Sequence, residues 1–132
     1  MPLLQCISPI DGAIYAERRA LSGTDAKNAI KCARNAQKDW SLTSLETRVS
    51  VVMDGIAALG QMTDEVVPEL AWQMGRPVRY GGEFGGVNER ASHMASIAET
   101  ALAPLEVSDD PQFHRFIKRV PHGVVFVIAP WN

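Results

Sequence analysis

The run Val124-Val125-Phe126-Val127-Ile128, entered from Gly123 and followed by Ala129-Pro130-Trp131-Asn132, sets the hardest constraint on this sequence. Its five adjacent large apolar side chains lack the apolar–polar alternation of a strand with one wet face, so the run predicts a parallel-sheet strand covered on both faces. Removing those side chains from water is worth about 8–15 kcal/mol, at roughly 1.5–3 each. Flanking strands and two covering layers are needed to realise it. No crossover helix and no further strand follow the run within the 132 residues, so the expectation is an incomplete domain.

Upstream, the apolar spacing predicts a helical region behind a short hairpin. Leu3 to Ser8 and Ala13 to Leu21 alternate around Pro9-Ile10-Asp11-Gly12 as two paired strands. Thr24 is the expected cap of a helix running to about Trp40, with Ala26, Ala29, Ile30, Ala33, Ala36 and Trp40 on a core-facing stripe. Thr43 and Glu46 have the spacing of a capping box for a second helix, whose Leu45, Val49, Val52, Met53, Ile56 and Leu59 continue to Gly60. The two are expected to pair antiparallel. A third helix is expected over about Asp64 to Met74, stopped by Gly75 and Pro77, with Pro68 either delaying its start to Val67 or kinking it. A fourth carries Phe84, Val87, Ala91, Met94, Ala98 and Ala101 up to Pro104. Leu105 to Pro111 reads as polar and acidic, and residues 112–120 as a strand.

The motifs Ser8-Pro9-Ile10-Asp11-Gly12, Gln73-Met74-Gly75-Arg76-Pro77 and Arg119-Val120-Pro121-His122-Gly123-Val124-Val125, closing on Ile128-Ala129-Pro130-Trp131-Asn132, resemble in order and spacing the start of an NAD(P)-dependent aldehyde dehydrogenase. The resemblance implies an α/β fold: the N-terminal helical part of that family, with an initial hairpin, a bridging strand arm and the first strand of a Rossmann-like parallel sheet. It divides the chain into residues 1–104, the hairpin and helices of the cofactor-binding domain; 105–122, a bridging or oligomerisation arm; and 123–132, the first nucleotide-binding strand with its Pro-Trp-Asn turn.

The implied reaction is thiol attack on an aldehyde, hydride transfer to NAD or NADP, and release of a carboxylic acid. Asn132 takes the role of the oxyanion-hole amide, a neutral donor suited to charge developing on the aldehyde oxygen. The resemblance further implies that Ile128, Ala129, Pro130 and Trp131 line the cofactor, at the carboxyl end of the strand where ligands of open α/β sheets bind. The family's nucleophilic Cys and general-base Glu have no counterpart in residues 1–132, so the isolated chain is expected to be inactive and to bind neither cofactor tightly. A homodimer or homotetramer is implied for the full-length enzyme. The choice between NAD and NADP, the aldehyde, and hydrolysis against transfer to coenzyme A all stay open.

Other candidates are weaker. Gly81-Gly82-Glu83-Phe84-Gly85-Gly86 lacks a preceding buried strand and the spacing of a dinucleotide or P-loop motif, which favours a loose helix entry over a phosphate cradle. Cys6 and Cys32 form neither a CxxC pair nor a disulfide framework, and read as inert thiols in a reducing compartment. No metal site is expected. Thirteen basic residues scattered among fifteen acidic ones give a net charge of −2 and no footprint for nucleic acid. The opening residues lack a basic leader and no stretch reaches membrane-spanning length, which points to the cytoplasm and away from a membrane. Two other readings accompany the enzyme: a non-catalytic interaction fragment that joins full-length subunits, and a small helical binding domain.

Overall fold

The structure, a computed structural model, describes residues 2–81, 83–110 and 112–129. Leu3–Ile7 (β1) and Ile14–Arg19 (β2) pair antiparallel, Leu3 opposite Arg19 and Cys6 opposite Ala16. Local bonds close the turn between them: Ser8 N–H donates to Ala13 O at 2.8 Å, Gly12 N–H to Ser8 O at 2.9 Å, and Ala13 N–H to Asp11 Oδ1 at 3.0 Å. The last is an Asx-type contact that explains an aspartate at this place. The Ser8 hydroxyl accepts from Ile10 N–H at 3.2 Å, and Ser8 is the one buried residue among those described.

Both expected helix caps are displaced. The first helix, Gly23–Leu42 (α1), is capped by Ser22, whose Oγ accepts from Asp25 N–H at 3.0 Å while the Asp25 carboxylate accepts from Ser22 N–H at 3.3 Å. The reciprocal box needs an acceptor three residues on, which Ser22 has in Asp25 and Thr24 lacks, Lys27 standing there. The second helix, Leu45–Gln61 (α2), takes Ser44 as its cap, with Thr47 N–H donating to Ser44 Oγ at 3.1 Å. Thr43 is occupied one step earlier: its N–H and hydroxyl both donate to Trp40 O, at 3.2 and 2.7 Å, closing α1.

A single residue, Met62, separates α2 from Thr63–Met74 (α3), and its carbonyl accepts from Glu65 and Val66 N–H at 3.1 and 2.9 Å. This helix does not wait for Val67. Pro68 lies within it, and the carbonyl its missing N–H would have served belongs to exposed Asp64, where water can replace the bond. Gly75, at φ 72°, ends α3 in the left-handed conformation, as the sequence predicts, and a Cβ there would lie 3.2 Å from Pro9 Cγ. The hairpin turn is thus seated on the end of α3. A 3₁₀ turn at Val78–Tyr80 follows, and Gly81 approaches α3 so closely that a Cβ would fall 2.8 and 2.9 Å from the two Val67 methyls.

The fourth helix, Glu83–Leu102 (α4), packs on α2, the main helix–helix contact, whereas α1 makes no comparable contact with α2. The expected α1–α2 pair is therefore replaced by an α2–α4 pair. Beyond α4, Leu105–Asp110 (β3) and Phe113–Ile117 (β4) form a second antiparallel hairpin, Leu105 opposite Ile117 and Asp110 opposite Phe113, with an irregularity between Glu106 and Ser108. The stretch read as merely acidic is a strand. Leu105-Glu106-Val107-Ser108 alternates, and β4 gives it a partner.

No hydrophobic residue among those described is buried, and the accessible surface is 10966 Å². A compact monomer of 14.4 kDa would expose about 6,800 Å². Many large apolar side chains are among the exposed residues. The α1 stripe predicted as core is open, with Ile30 50% and Trp40 41% exposed; its periodicity is sound, but among the described residues no helix or strand packs extensively on it.

Candidate functional site

The expected site falls at the end of the apolar run. Pro130, Trp131 and Asn132 lie outside the described residues. Val124 to Ala129 carry no strand pairing, and Val124, Val125, Phe126, Val127 and Ile128 are 44, 68, 86, 75 and 75% exposed. The strand expected here is unpaired for a plain reason: a strand is defined by hydrogen bonds to a neighbour, and among the described residues no strand stands beside it. Ile128 and Ala129 are accordingly exposed together. Their side chains offer apolar surface and neither a hydrogen-bond donor nor a charge.

Two features aim the run. Arg119 Nε donates to Ala103 O at 3.3 Å, tying the outgoing limb of the β3–β4 hairpin to the end of α4 and closing the arm at its base. From there the chain returns to α1, where Gly123 and Val124 share an open apolar groove with Ala33, Ala36, Gln37 and Trp40. The α1 stripe and the run are therefore contiguous, two uncovered surfaces that meet at Val124. A layer over one would extend over the other.

The remaining candidates stay apart from this edge. Cys6 is half-buried in β1 with its Sγ 4.0 Å from Gln73 O, and Cys32 is exposed on α1. Gly85 and Gly86 are inside α4 and Gly81 is pressed on Val67, so the described glycines shape a helix entry. No group of His, Cys, Asp and Glu among the described residues has the disposition of a metal site. Among the described residues no helix is long and apolar enough to cross a membrane.

One residue escaped the sequence reading. Arg48 lines an open recess between the start of α2, the end of α4 and residues 119–122, and its Nε is buried without a hydrogen-bond partner. The signal was available: Arg48 stands three residues from Leu45 and four from Val52, on the stripe that packs against α4.

Residues 2–132 match the model of the aldehyde dehydrogenase family. The chain belongs to that family. Among curated relatives, the NAD(+) benzaldehyde dehydrogenase of Pseudomonas putida is 30% identical over 96% of this chain and 26% of its own length. The vanillin dehydrogenase of Corynebacterium glutamicum is 27% identical over the same shares. Among solved structures, an NAD-dependent benzaldehyde dehydrogenase from Corynebacterium glutamicum superposes with a TM-score of 0.72 at 20% identity, covering 83% of this chain and 24% of its own. This aldehyde dehydrogenase chain thus spans about a quarter of the length of the relatives it matches. Its helices and short strands follow the family's fold as an incomplete domain, and the uncovered faces are what such a portion would present.

Proposed function

We propose that these residues serve an NAD(P)-dependent enzyme that oxidises an aldehyde to a carboxylic acid in the cytoplasm, supplying its oxyanion amide and one edge of its cofactor site. Family membership over residues 2–132 is the observation that carries this reading. In it, residues 1–104 form the hairpin and helices of the cofactor-binding domain, 105–122 the arm that joins subunits into a homodimer or homotetramer, and 123–132 the first strand of the nucleotide-binding sheet. Asn132 donates its amide to the aldehyde oxygen as negative charge develops there, a task for a neutral, fixed donor. Ile128 to Trp131 line the cofactor, which when bound accepts the hydride.

Cys6 and Cys32 are a poor fit to the nucleophile's role. Neither is near the end of the run in sequence, and the contact of Cys6 Sγ is with a backbone carbonyl, that of Gln73, which is no base. The chain alone should therefore form no NADH from NAD and an aldehyde. Relatives named for benzaldehyde and vanillin make aromatic aldehydes the first substrates to try.

The test is a chimera in which residues 1–132 replace the corresponding part of the Pseudomonas putida benzaldehyde dehydrogenase. It should reduce NAD with benzaldehyde, and Asn132→Ala in that chimera should lower kcat by about 10²–10³, the usual loss for one oxyanion donor. A folded chimera in which Asn132→Ala leaves kcat unchanged would remove the assignment. The interaction-fragment reading has one observation in its favour, the exposed β3–β4 hairpin with Phe113, Phe116 and Ile117 on its surface. Co-elution of the chain with the intact relative would support it.

A further inference from the structure

The stretch between the β3–β4 hairpin and the apolar run is short and stiff, and one side chain fixes where it starts. Ala103 stands just past the end of α4 at Leu102, where helix carbonyls lack intrahelical donors. Pro104, which has no N–H, follows it. Arg119 Nε reaches Ala103 O at 3.3 Å from sixteen positions away, and so brings a positive charge to the negative end of the helix, where cations are favoured. The same side chain finishes α4 and pins the outgoing limb of the hairpin. Residues 119–122 lie beside Leu45 of α2 and Leu102 of α4.

Four residues lead from that anchor to the run. Pro121 fixes its own φ and holds Val120 extended. Gly123 turns the chain at φ 97°, a conformation open to glycine and strained for other residues. Val124 then meets α1 beside Ala36 and Trp40. A linker this constrained passes a displacement at Arg119 on to the run, and Asn132 lies eight residues beyond Val124. We propose that Arg119 is a positioning residue for Asn132, an inference that rests on the oxyanion reading of Asn132 given above. Neighbouring strands of the sheet hold the run sideways, whereas the anchor on α4 sets how far along the sheet it reaches. An amide out of line by a fraction of an ångström stabilises the developing charge less, while ground-state binding of aldehyde and cofactor is unaffected. Arg119 touches neither of them and acts through Asn132.

The test uses the full-length chimera with benzaldehyde and NAD. Arg119→Met puts a methyl group where Nε stood, and should lower kcat about tenfold with both KM values within about twofold of the parent. Arg119→Gln puts an amide N–H donor at that same place along the side chain, and should recover most of the loss. Because the bond to Ala103 is exposed, the thermal midpoint should stay that of the parent chimera. The deciding measurement is a double-mutant cycle: in the Asn132→Ala background Arg119→Met should cost no further kcat, since the group it positions is gone. A loss that adds to that of Asn132→Ala would mark a merely structural role and overturn the proposal, as would a glutamine variant as slow as the methionine one. Should Arg119→Met not fold, Arg119→Leu carries the same cycle, and failure of both to fold would equally make Arg119 structural. Asn132→Ala without effect removes the oxyanion reading and this proposal together. Asn132→Ala with its full loss, beside an Arg119→Met that leaves kcat unchanged, removes this proposal alone.

Discussion

At the scale of single residues, the fold turns on a few close approaches that polar and glycine residues make possible. Gly81 is the tightest: a methyl group there would meet the Val67 side chain at 2.8 and 2.9 Å. Gly81→Ala should destabilise the chain by about 1–3 kcal/mol, the usual cost of overpacking. Val67→Ala added to it should recover part of that loss, and a urea titration of the four-member cycle would check both. The sequence marked this glycine only as one of a cluster, because the residue that demands it is fourteen positions away on α3. The His114 Nε2 to Glu106 Oε2 contact at 2.6 Å is of the opposite kind: both side chains are well exposed, 63 and 59%, and a pair so open to water contributes little.

At the scale of elements, the caps show how local chemistry chooses among neighbouring candidates. The sequence reading put the caps at Thr24 and Thr43, and the structure puts them at Ser22 and Ser44. Asp25 selects Ser22, and the demand of α1's last turn on Thr43 selects Ser44. Ser22→Ala should therefore cost about 1 kcal/mol and lower the helical signal, whereas Thr24→Ala should change stability by no more than about 0.5 kcal/mol. The reverse ranking by chemical denaturation would return the cap to Thr24. Helix periodicity and the Gly75 stop were legible because they depend on residues within a turn or two of each other. The pairing of α2 with α4 in place of α1 was not, since all three helices carry apolar stripes and the stripe does not name its partner.

At the scale of the whole molecule, 10966 Å² of accessible surface with no fully buried hydrophobic residue among those described means that hydrophobic burial makes folding less cooperative than in a compact domain of this length. The chain by itself should unfold over a broad range of urea, with an m value well below that of a compact domain of equal length, and should bind an apolar dye before any denaturant is added. A sharp two-state transition without dye binding would show that the apolar faces are covered after all. The sequence by itself determined the hairpin, the helical spans, the stop at Gly75 and the family, because each is written in spacings of a few residues or in motifs whose order survives in one dimension. It also raised the expectation that Val124 to Ile128 needs strands beside it, since five adjacent apolar side chains suit a strand covered on both faces. Only the tertiary structure decided which caps are used, that α2 lies on α4, that residues 105–110 are a strand, and that the α1 stripe and the run meet at Val124 in one open surface. Those choices depend on contacts between residues far apart in the chain, where several apolar partners are equally good in composition and geometry alone separates them.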